Sequence, residues 1–298
     1  MGWLSLALLS SAGFAVIAIA DKKLISVMPS FGSVLSFIGL AVFCTGLASL
    51  AIEPLSPDIP LTLLLTSTVS GFLWGVGVLL VIYTLRYEEV SRAIPAYNIF
   101  PVFTAVLAVL FLGEHLSNLQ WLSVLVTVAG AVTITIKPTS KGPVFSLGKP
   151  FVVLMIGAFV TALAYLVTKY VVTELSLWNA FSLRSFGLAV PFLLFIRPNT
   201  VRHIAKTMLL PVGSTYILLE IFLGPLCMWV TLSAIQAGPL ALVTAVTGTR
   251  SLFVVVFSAI LSTRWLRILE EPIDHRTITL KLASTSLIVG GVIGLNFL

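Results

Sequence analysis

Residues 61–84 read LTLLLTSTVSGFLWGVGVLLVIYT, a stretch without a single charged side chain. A helix of about 20 apolar residues crosses the hydrocarbon core of a bilayer, which is roughly 30 Å thick. Apolar stretches of comparable length fill nearly the whole chain, and only short connections separate them. The ten predicted spans cover residues 3–25, 33–52, 61–84, 91–112, 119–136, 150–172, 177–196, 208–232, 238–262 and 279–297.

The composition agrees with a membrane protein. Of the 298 residues, 58% are hydrophobic and only 9% are charged, which is too few to cover the surface of a soluble domain. Backbone groups in lipid must form their hydrogen bonds within the protein, and the alternating pattern of a membrane barrel is absent. We therefore predict an all-α membrane protein with ten transmembrane helices. Asp21, Lys22 and Lys23 follow the first apolar residues in place of a cleavage site, which favours a span over a signal peptide.

The second five spans repeat the first five. Because each half contains an odd number of spans, the two halves must be inserted in opposite orientations, as in many transporters with a site between their repeats. We predict inverted five-helix repeats at residues 1–140 and 148–298. The matched positions are Lys22-Lys23 with Lys169, Ser36-Phe37 with Ser185-Phe186, Thr84-Leu85 with Thr231-Leu232, and Gly130 with Gly290-Gly291.

The 17 Lys and Arg residues are distributed very unevenly between the two sides. Fourteen lie in the connections after spans 1, 3, 5, 7 and 9, whereas the other side has only Lys169 and Arg184. The positive-inside rule then places the odd connections in the cytoplasm and both termini outside. The sequence contains no basic stripe with interleaved aromatic residues, so we predict no nucleic-acid partner. Cys44 and Cys227 lie in apolar segments without a metal-ligand pattern, so we predict no metal and no cofactor.

Spans 4 and 5 contain a recognisable motif. Its residues are Ala93-Ile94-Pro95, Pro101-Val102-Phe103, Leu112-Gly113-Glu114-His115-Leu116, Gln120 and Gly130. This motif resembles the signature of the EamA family in the drug/metabolite transporter (DMT) superfamily. The resemblance implies ten-helix secondary transporters of metabolites, often exporters, with both termini in the cytoplasm.

The second repeat departs from the EamA pattern, because residues 248–253 lack the expected proline and Arg264 replaces the usual glutamate. The charge count also contradicts cytoplasmic termini, and we follow the count.

Glu220 in span 8 and Arg250 in span 9 are the strongest candidates for a substrate site. Each lies fifteen residues from Ile235 in the intervening turn, so both should lie at a similar depth. An ionisable side chain there costs about 2.5–3.5 kcal/mol, which favours a position facing the bundle or a wet cavity. We predict that Arg250 binds a carboxylate or phosphate of the substrate, and that Glu220 is its counter-charge or a proton-coupling group. The alternative is a structural ion pair.

Other polar and aromatic residues are candidates for lining the same site. Asn98 stands out because Pro101, three residues later, leaves a backbone carbonyl without its helical partner. For the aromatic residues, packing or a position at the membrane interface is an equal alternative. At the depth of Glu220 and Arg250 the first half has Leu73 and Phe100, and hence no charge. The additional substrate-binding candidates are Trp74, Tyr97, Asn98, Tyr165, Thr244 and Thr247, with Tyr83 and Trp229 as weaker ones.

Three further features concern charged and small residues. Lys22, Lys23 and Lys169 either attract anions to a cavity mouth or, as we expect, extend to the membrane interface. Arg184 is expected to pair with Glu174 or with a lipid phosphate. Spans 5 and 10 are candidates for contact between the repeats or for a homodimer interface. The glycines predicted to allow close helix packing are Gly71, Gly75, Gly77, Gly187, Gly290, Gly291 and Gly294.

These features favour a secondary transporter in a bacterial or archaeal plasma membrane. It would export a small polar metabolite, anionic or zwitterionic, by alternating access between its repeats, with protons as the candidate coupling ion. The alternative is a flippase for a lipid or lipid-linked substrate. An enzyme is disfavoured because the histidines lie in or beside connections. An ATP-driven pump is disfavoured because the sequence has no nucleotide-binding loop.

Overall fold

The computed structural model describes residues 2–112, 117–133, 136–139, 142–145, 148–238, 240–262 and 275–297. Within them the chain is almost entirely helical, with one antiparallel hairpin of β1 (Ile136–Thr139) and β2 (Gly142–Phe145). Residues 113–116 of the motif and Arg264 lie outside the described part. The helices are α1 (Trp3–Val27), α2 (Phe31–Ile52), α3 (Leu61–Thr84), α4 (Val90–Tyr97), α5 (Phe100–Leu112), α6 (Asn118–Thr133), α7 (Lys149–Glu174), α8 (Leu177–Leu193), α9 (Thr200–Met208), α10 (Pro211–Ala237), α11 (Leu240–Thr247), α12 (Arg250–Leu261) and α13 (His275–Phe297).

Among the described residues, six helical stretches are long and apolar enough to cross a membrane, which confirms a helical, multi-pass membrane protein. They are α1, α2, α3, α7, α10 and the combined stretch Val90–Phe111. Shorter helices occupy the positions of the other predicted spans, so ten crossings remain a prediction. Neither the hairpin nor α9 was predicted. In α9, His203 contacts the hydroxyl group of Ser33 through its Nδ1 atom, at 2.7 Å.

Each of the predicted spans 4 and 9 is divided into two helices by a break. The first breaks between α4 and α5, where Pro101 has no N–H to continue the ladder and Asn98 leaves the helical conformation at ψ 19°. The second breaks between α11 and α12 without a proline. There the Thr247 and Thr249 hydroxyls donate to the carbonyls of Thr244 and Val246, both at 2.6 Å. These side-chain bonds compete with the helical ladder.

The two breaks occupy equivalent positions in the two halves. The helices before the breaks, α4 and α11, span residues 90–97 and 240–247, and those after them begin at Phe100 and Arg250. The start of the first helix, its end and the start of the second helix are therefore separated by the same number of residues in the two halves. Discontinuous helices at corresponding positions are typical of transporters built from inverted repeats. The arrangement supports the predicted repeats, whose inverted relationship remains a prediction.

Helices from the two predicted halves pack closely in pairs: α1 on α10, α2 and α3 on α8, and α6 on α13. A Cβ atom on Gly71 would collide with the carbonyl group of Arg184, and one on Gly187 with that of Thr68. Gly130 and Gly291 are similarly enclosed between α6 and α13. Close approach is thus confirmed for the predicted Gly71, Gly75, Gly77, Gly187 and Gly291, but a Cβ on Gly290 would meet open space. The α6–α13 pairing confirms the predicted contact between spans 5 and 10.

Two matched lysines bind the ends of helices, so the expectation that they extend to the interface was wrong. Lys22 donates from Nζ to the carbonyls of Leu85 and Glu88, the latter at 2.9 Å, just after α3. Lys169 donates to the carbonyls of Ile235 and Gly238 at 3.0 and 2.9 Å, at the end of α10. A cation is favourable at a helix C-terminus because the last carbonyls lack helical partners. Each lysine thereby holds the turn that leads into a broken helix.

Candidate functional site

A cavity of about 780 Å³ lies between α1, α2, α3, α8, α10 and α12. Most of its wall is aliphatic or aromatic, and its charged lining residues are Asp21, Glu220 and Arg250. The structure thus brings together the two charges that the sequence placed at similar depth. It also adds a third, and the expectation that the first half has no charge at this depth was wrong.

Asp21 is the site residue that the sequence reasoning missed. Its place beside Lys22 and Lys23 indicates only the start of a charged segment, but α1 continues to Val27 and Asp21 is 6% exposed inside the bundle. It is two helical turns after Phe14, so both residues face the same side of α1. The sequence did contain a signal: Asp21 is an acidic residue inside predicted span 1, which continues to residue 25.

The Asp21 and Glu220 carboxyl groups line the same cavity, close enough to act on each other electrostatically. Two like charges side by side in an apolar cavity repel each other, and a proton shared by the pair would relieve that repulsion. Arg250 lies near enough for its charge to act on both. Asp21 Oδ1, Glu220 Oε1 and Arg250 Nε are buried without a hydrogen-bond partner. The cluster therefore has donor and acceptor capacity that a substrate could use.

The break in span 9 determines where Arg250 lies. It is the first residue of α12, and its guanidinium carbon lies 5.4 Å from the centroid of the Phe14 ring. The N-terminus of a helix repels a cation because its free N–H groups carry partial positive charge. The two nearby carboxyl groups, of Asp21 and Glu220, offset that repulsion.

A smaller cavity of about 350 Å³ adjoins the first, and Phe14, Trp74 and Arg250 line both. Tyr97, Asn98, Tyr165 and Thr247 line only the smaller one. Of the eight predicted binding residues, all but Thr244 therefore line one of the two cavities. Thr244 is buried below the break, where its carbonyl accepts the bond from the hydroxyl of Thr247. Substrate binding by these residues remains a prediction.

Side chains from both breaks meet in the smaller cavity. The Asn98 amide donates to the hydroxyl of Ser251 at 3.0 Å, which links the first break to the start of α12. Tyr97 is hydrogen-bonded to Thr161 at 2.7 Å. The weaker candidates lie elsewhere: Tyr83 is 41% exposed, and Trp229 packs on Trp178 with 5.7 Å between ring centroids.

The two cavities meet at an aromatic pair. The rings of Phe14 and Trp74 are in edge-to-face contact, with centroids 5.9 Å apart. Ser10 and Ser11 of α1 line the smaller cavity, whereas Ile17 and Asp21 line the larger one. Because α1 runs in one direction through the bundle, the cavities lie at different depths on either side of this pair.

Arg184 is buried beside the site, at 3% exposure, so the expectation that it pairs with Glu174 or a lipid phosphate was wrong. Its guanidinium carbon lies 4.6 Å from the Trp74 ring centroid and 6.0 Å from that of Tyr165. It donates to the hydroxyls of Ser70, at 3.4 Å, and of Thr168.

Outside the apolar segments, Glu89 joins the turn before α4 to the start of α13. Its carboxylate accepts from Lys281 at 2.6 Å and from Arg92 at 3.2 Å. Burial opposes ionisation of Glu89, but the hydrogen bonds and charges of Lys281 and Arg92 outweigh it and hold the pKa below its usual value of 4.5. At neutral pH this contact is an ion pair.

Comparison with known proteins agrees with this architecture. The profile of the EamA-like transporter family matches residues 1–136. A solved crystal structure has the same fold, with a TM-score of 0.61 and 13% identity over 98% of both chains. A search of curated proteins found no match. The family match accords with the motif in spans 4 and 5 and with the apolar helices. The chain is therefore a multi-pass membrane protein whose residues 1–136 are similar to the EamA-like transporter family.

Proposed function

We propose that this protein is a secondary transporter that exports a small polar metabolite, anionic or zwitterionic, across the plasma membrane of a bacterium or archaeon. The observation that carries the proposal is the cluster of Asp21, Glu220 and Arg250 in the wall of a 780 Å³ cavity. Ionisable groups are costly in a membrane and usually mark a substrate or ion pathway. Arg250 provides a planar donor for a carboxylate or phosphate.

The transport cycle would be alternating access between the two five-helix repeats, residues 1–140 and 148–298. Two cavities at different depths, with Phe14 and Trp74 between them, fit a pathway that is closed at its centre. Relative motion of the halves would separate this pair and open the smaller cavity while the larger one closes. The matched helix breaks and the matched Lys22 and Lys169 contacts support two structurally equivalent halves.

The Asp21–Glu220 pair would carry the coupling proton. Ionisable groups buried within a membrane commonly form proton relays, and both of these groups lie in helices long enough to span it. Proton entry and substrate exit would then use the same cluster at different stages of the cycle.

The test is a metabolite-wide comparison of efflux between cells that produce the protein and cells that lack it. We expect one class of anionic or zwitterionic metabolites to accumulate outside producing cells, and Arg250→Ala to abolish that accumulation at unchanged membrane levels. Arg202→Ala is the matched control, because Arg202 is exposed on α9. Unchanged efflux by Arg250→Ala would exclude the proposed role of Arg250. Movement of lipids alone would favour a flippase.

A further inference from the structure

The two arginines of the site, Arg184 and the partly exposed Arg250, differ in their neighbours. Arg250 lies near the carboxyl groups of Asp21 and Glu220, which together carry one negative charge when they share a proton. Arg184 contacts two neutral hydroxyls and the faces of two rings, and no carboxylate among the described residues pairs with it. Its Nε atom is buried without a hydrogen-bond partner.

A buried guanidinium without a counter-charge is unfavourable, because ring faces and hydroxyls replace only part of its hydration. The guanidinium remains charged at neutral pH. Arg250 has the carboxyl groups of Asp21 and Glu220 in the same cavity wall, whereas the described neighbours of Arg184 are all neutral. The positive charge of Arg184 is therefore in excess of the acidic groups around it.

The surroundings of Arg184 are aromatic. Trp74 covers its guanidinium and lines both cavities, so movement of this one ring would expose Arg184 to the site. Tyr165 lies 6.0 Å from the guanidinium carbon and stacks on Phe100, with centroids 5.1 Å apart and planes within 10° of each other. Trp74, Phe100 and Tyr165 all line the smaller cavity, which could hold a flat apolar group with its charged end on the guanidinium.

We propose that Arg184 binds the anionic group of the substrate, and that the substrate is a monoanion with a flat apolar body, such as an aromatic monocarboxylate. This inference rests on the proposed transport function and specifies its substrate class. A carboxylate would satisfy the free donors of Arg184 in a forked geometry and neutralise the excess charge. Arg250 then belongs to the proton-carrying cluster and senses the bound substrate rather than holding its charge alone.

The experiment uses the full chain in lipid nanodiscs and three probes of similar shape: phenylacetate, phenylacetamide and phenethylammonium. Binding is measured by equilibrium dialysis and by the shift in melting temperature. We expect the wild type to bind phenylacetate about tenfold more tightly than phenylacetamide, and phenethylammonium most weakly. Arg184→Gln should reduce the preference for phenylacetate over the amide to within about twofold. Arg202→Gln, an exposed control on α9, should leave it unchanged.

Arg184→Lys keeps the proposal testable if the glutamine variant does not fold. Lysine retains the charge but not the planar fork, so we expect the preference for phenylacetate to persist with weaker affinity. A wild type that does not prefer phenylacetate over phenylacetamide would overturn the proposal, as would a preference that persists in folded Arg184→Gln. If efflux of a metabolite depends on Arg250 while this preference is absent, only the substrate class is wrong. Anion binding through Arg184 without any efflux would instead contradict the transport function.

Discussion

Neutralising the charged cluster in steps should separate its effect on stability from its effect on transport. The single variant Arg250→Gln leaves the carboxyl groups of Asp21 and Glu220 in an apolar cavity without their cation. The triple variant, in which Asp21→Asn and Glu220→Gln are added, removes every charge from the same volume. The two variants differ in the charge that remains buried, while side-chain sizes are nearly conserved.

The expected magnitudes follow from the burial of these groups. Removing one partner of a buried charged set costs about 3–5 kcal/mol, because the remaining charge is uncompensated. Arg250 is partly exposed, and the carboxyl pair can bind a second proton, so we expect a loss of about 3 kcal/mol for Arg250→Gln. For the triple variant we expect stability within about 1 kcal/mol of the wild type, because neutral amides can hydrogen-bond to one another.

The assay combines detergent-induced unfolding of the purified protein with efflux from cells. The pairwise coupling is obtained from the full set of single, double and triple variants. We expect stability to be restored in the triple variant while efflux stays absent. If efflux returns together with stability, the cluster is structural only. If Arg250→Gln is as stable as the wild type, the three groups do not interact as the geometry requires.

Three further predictions concern the architecture. Lys169→Met removes two charge-assisted hydrogen bonds at the end of α10 and should lower the free energy of unfolding by about 2 kcal/mol. Lys22→Met should lower it by a similar amount if the two halves are equivalent. Unfolding of both purified variants measures the two losses. Because the pKa of Glu89 is lowered, its ion pair should stabilise the protein above about pH 4.5 and lose this effect as the pH falls through the folded-state pKa. The difference in unfolding free energy between wild type and Glu89→Gln, measured from neutral to acid pH, should therefore shrink in that range. A difference that stays constant would contradict this prediction. A cysteine at Thr139 in β1, with Cys44 and Cys227 replaced by serine, should be protected from a membrane-impermeant reagent in intact cells, and labelling from outside would reverse the proposed orientation.

The sequence was sufficient to predict the helical membrane class and the long helices, because apolar length is a direct signal of a span. Its motif in spans 4 and 5 also predicted the similarity of residues 1–136 to the EamA-like transporters. It also placed Glu220 and Arg250 together, because depth in a helical protein follows from residue count. It did not predict the break at Gly248, since no proline marks it and threonine hydroxyls replace the helical bonds there. The orientation of side chains around each helix was equally inaccessible, because uniformly apolar spans show no clear polar face.

The errors on Asp21, Lys22 and Arg184 have a common physical origin. Each lies near the end of a predicted span, where charged side chains can reach water. In the structure, Asp21 and Arg184 are buried inside the bundle, and Lys22 is part-buried against the carbonyls that follow α3. Asp21 lines a cavity together with Glu220, and the described neighbours of Arg184 are only hydroxyls and rings. Of the three, Arg184 alone lacks a group of opposite charge or a full set of acceptors, and for that reason it is the residue where a ligand has most to contribute.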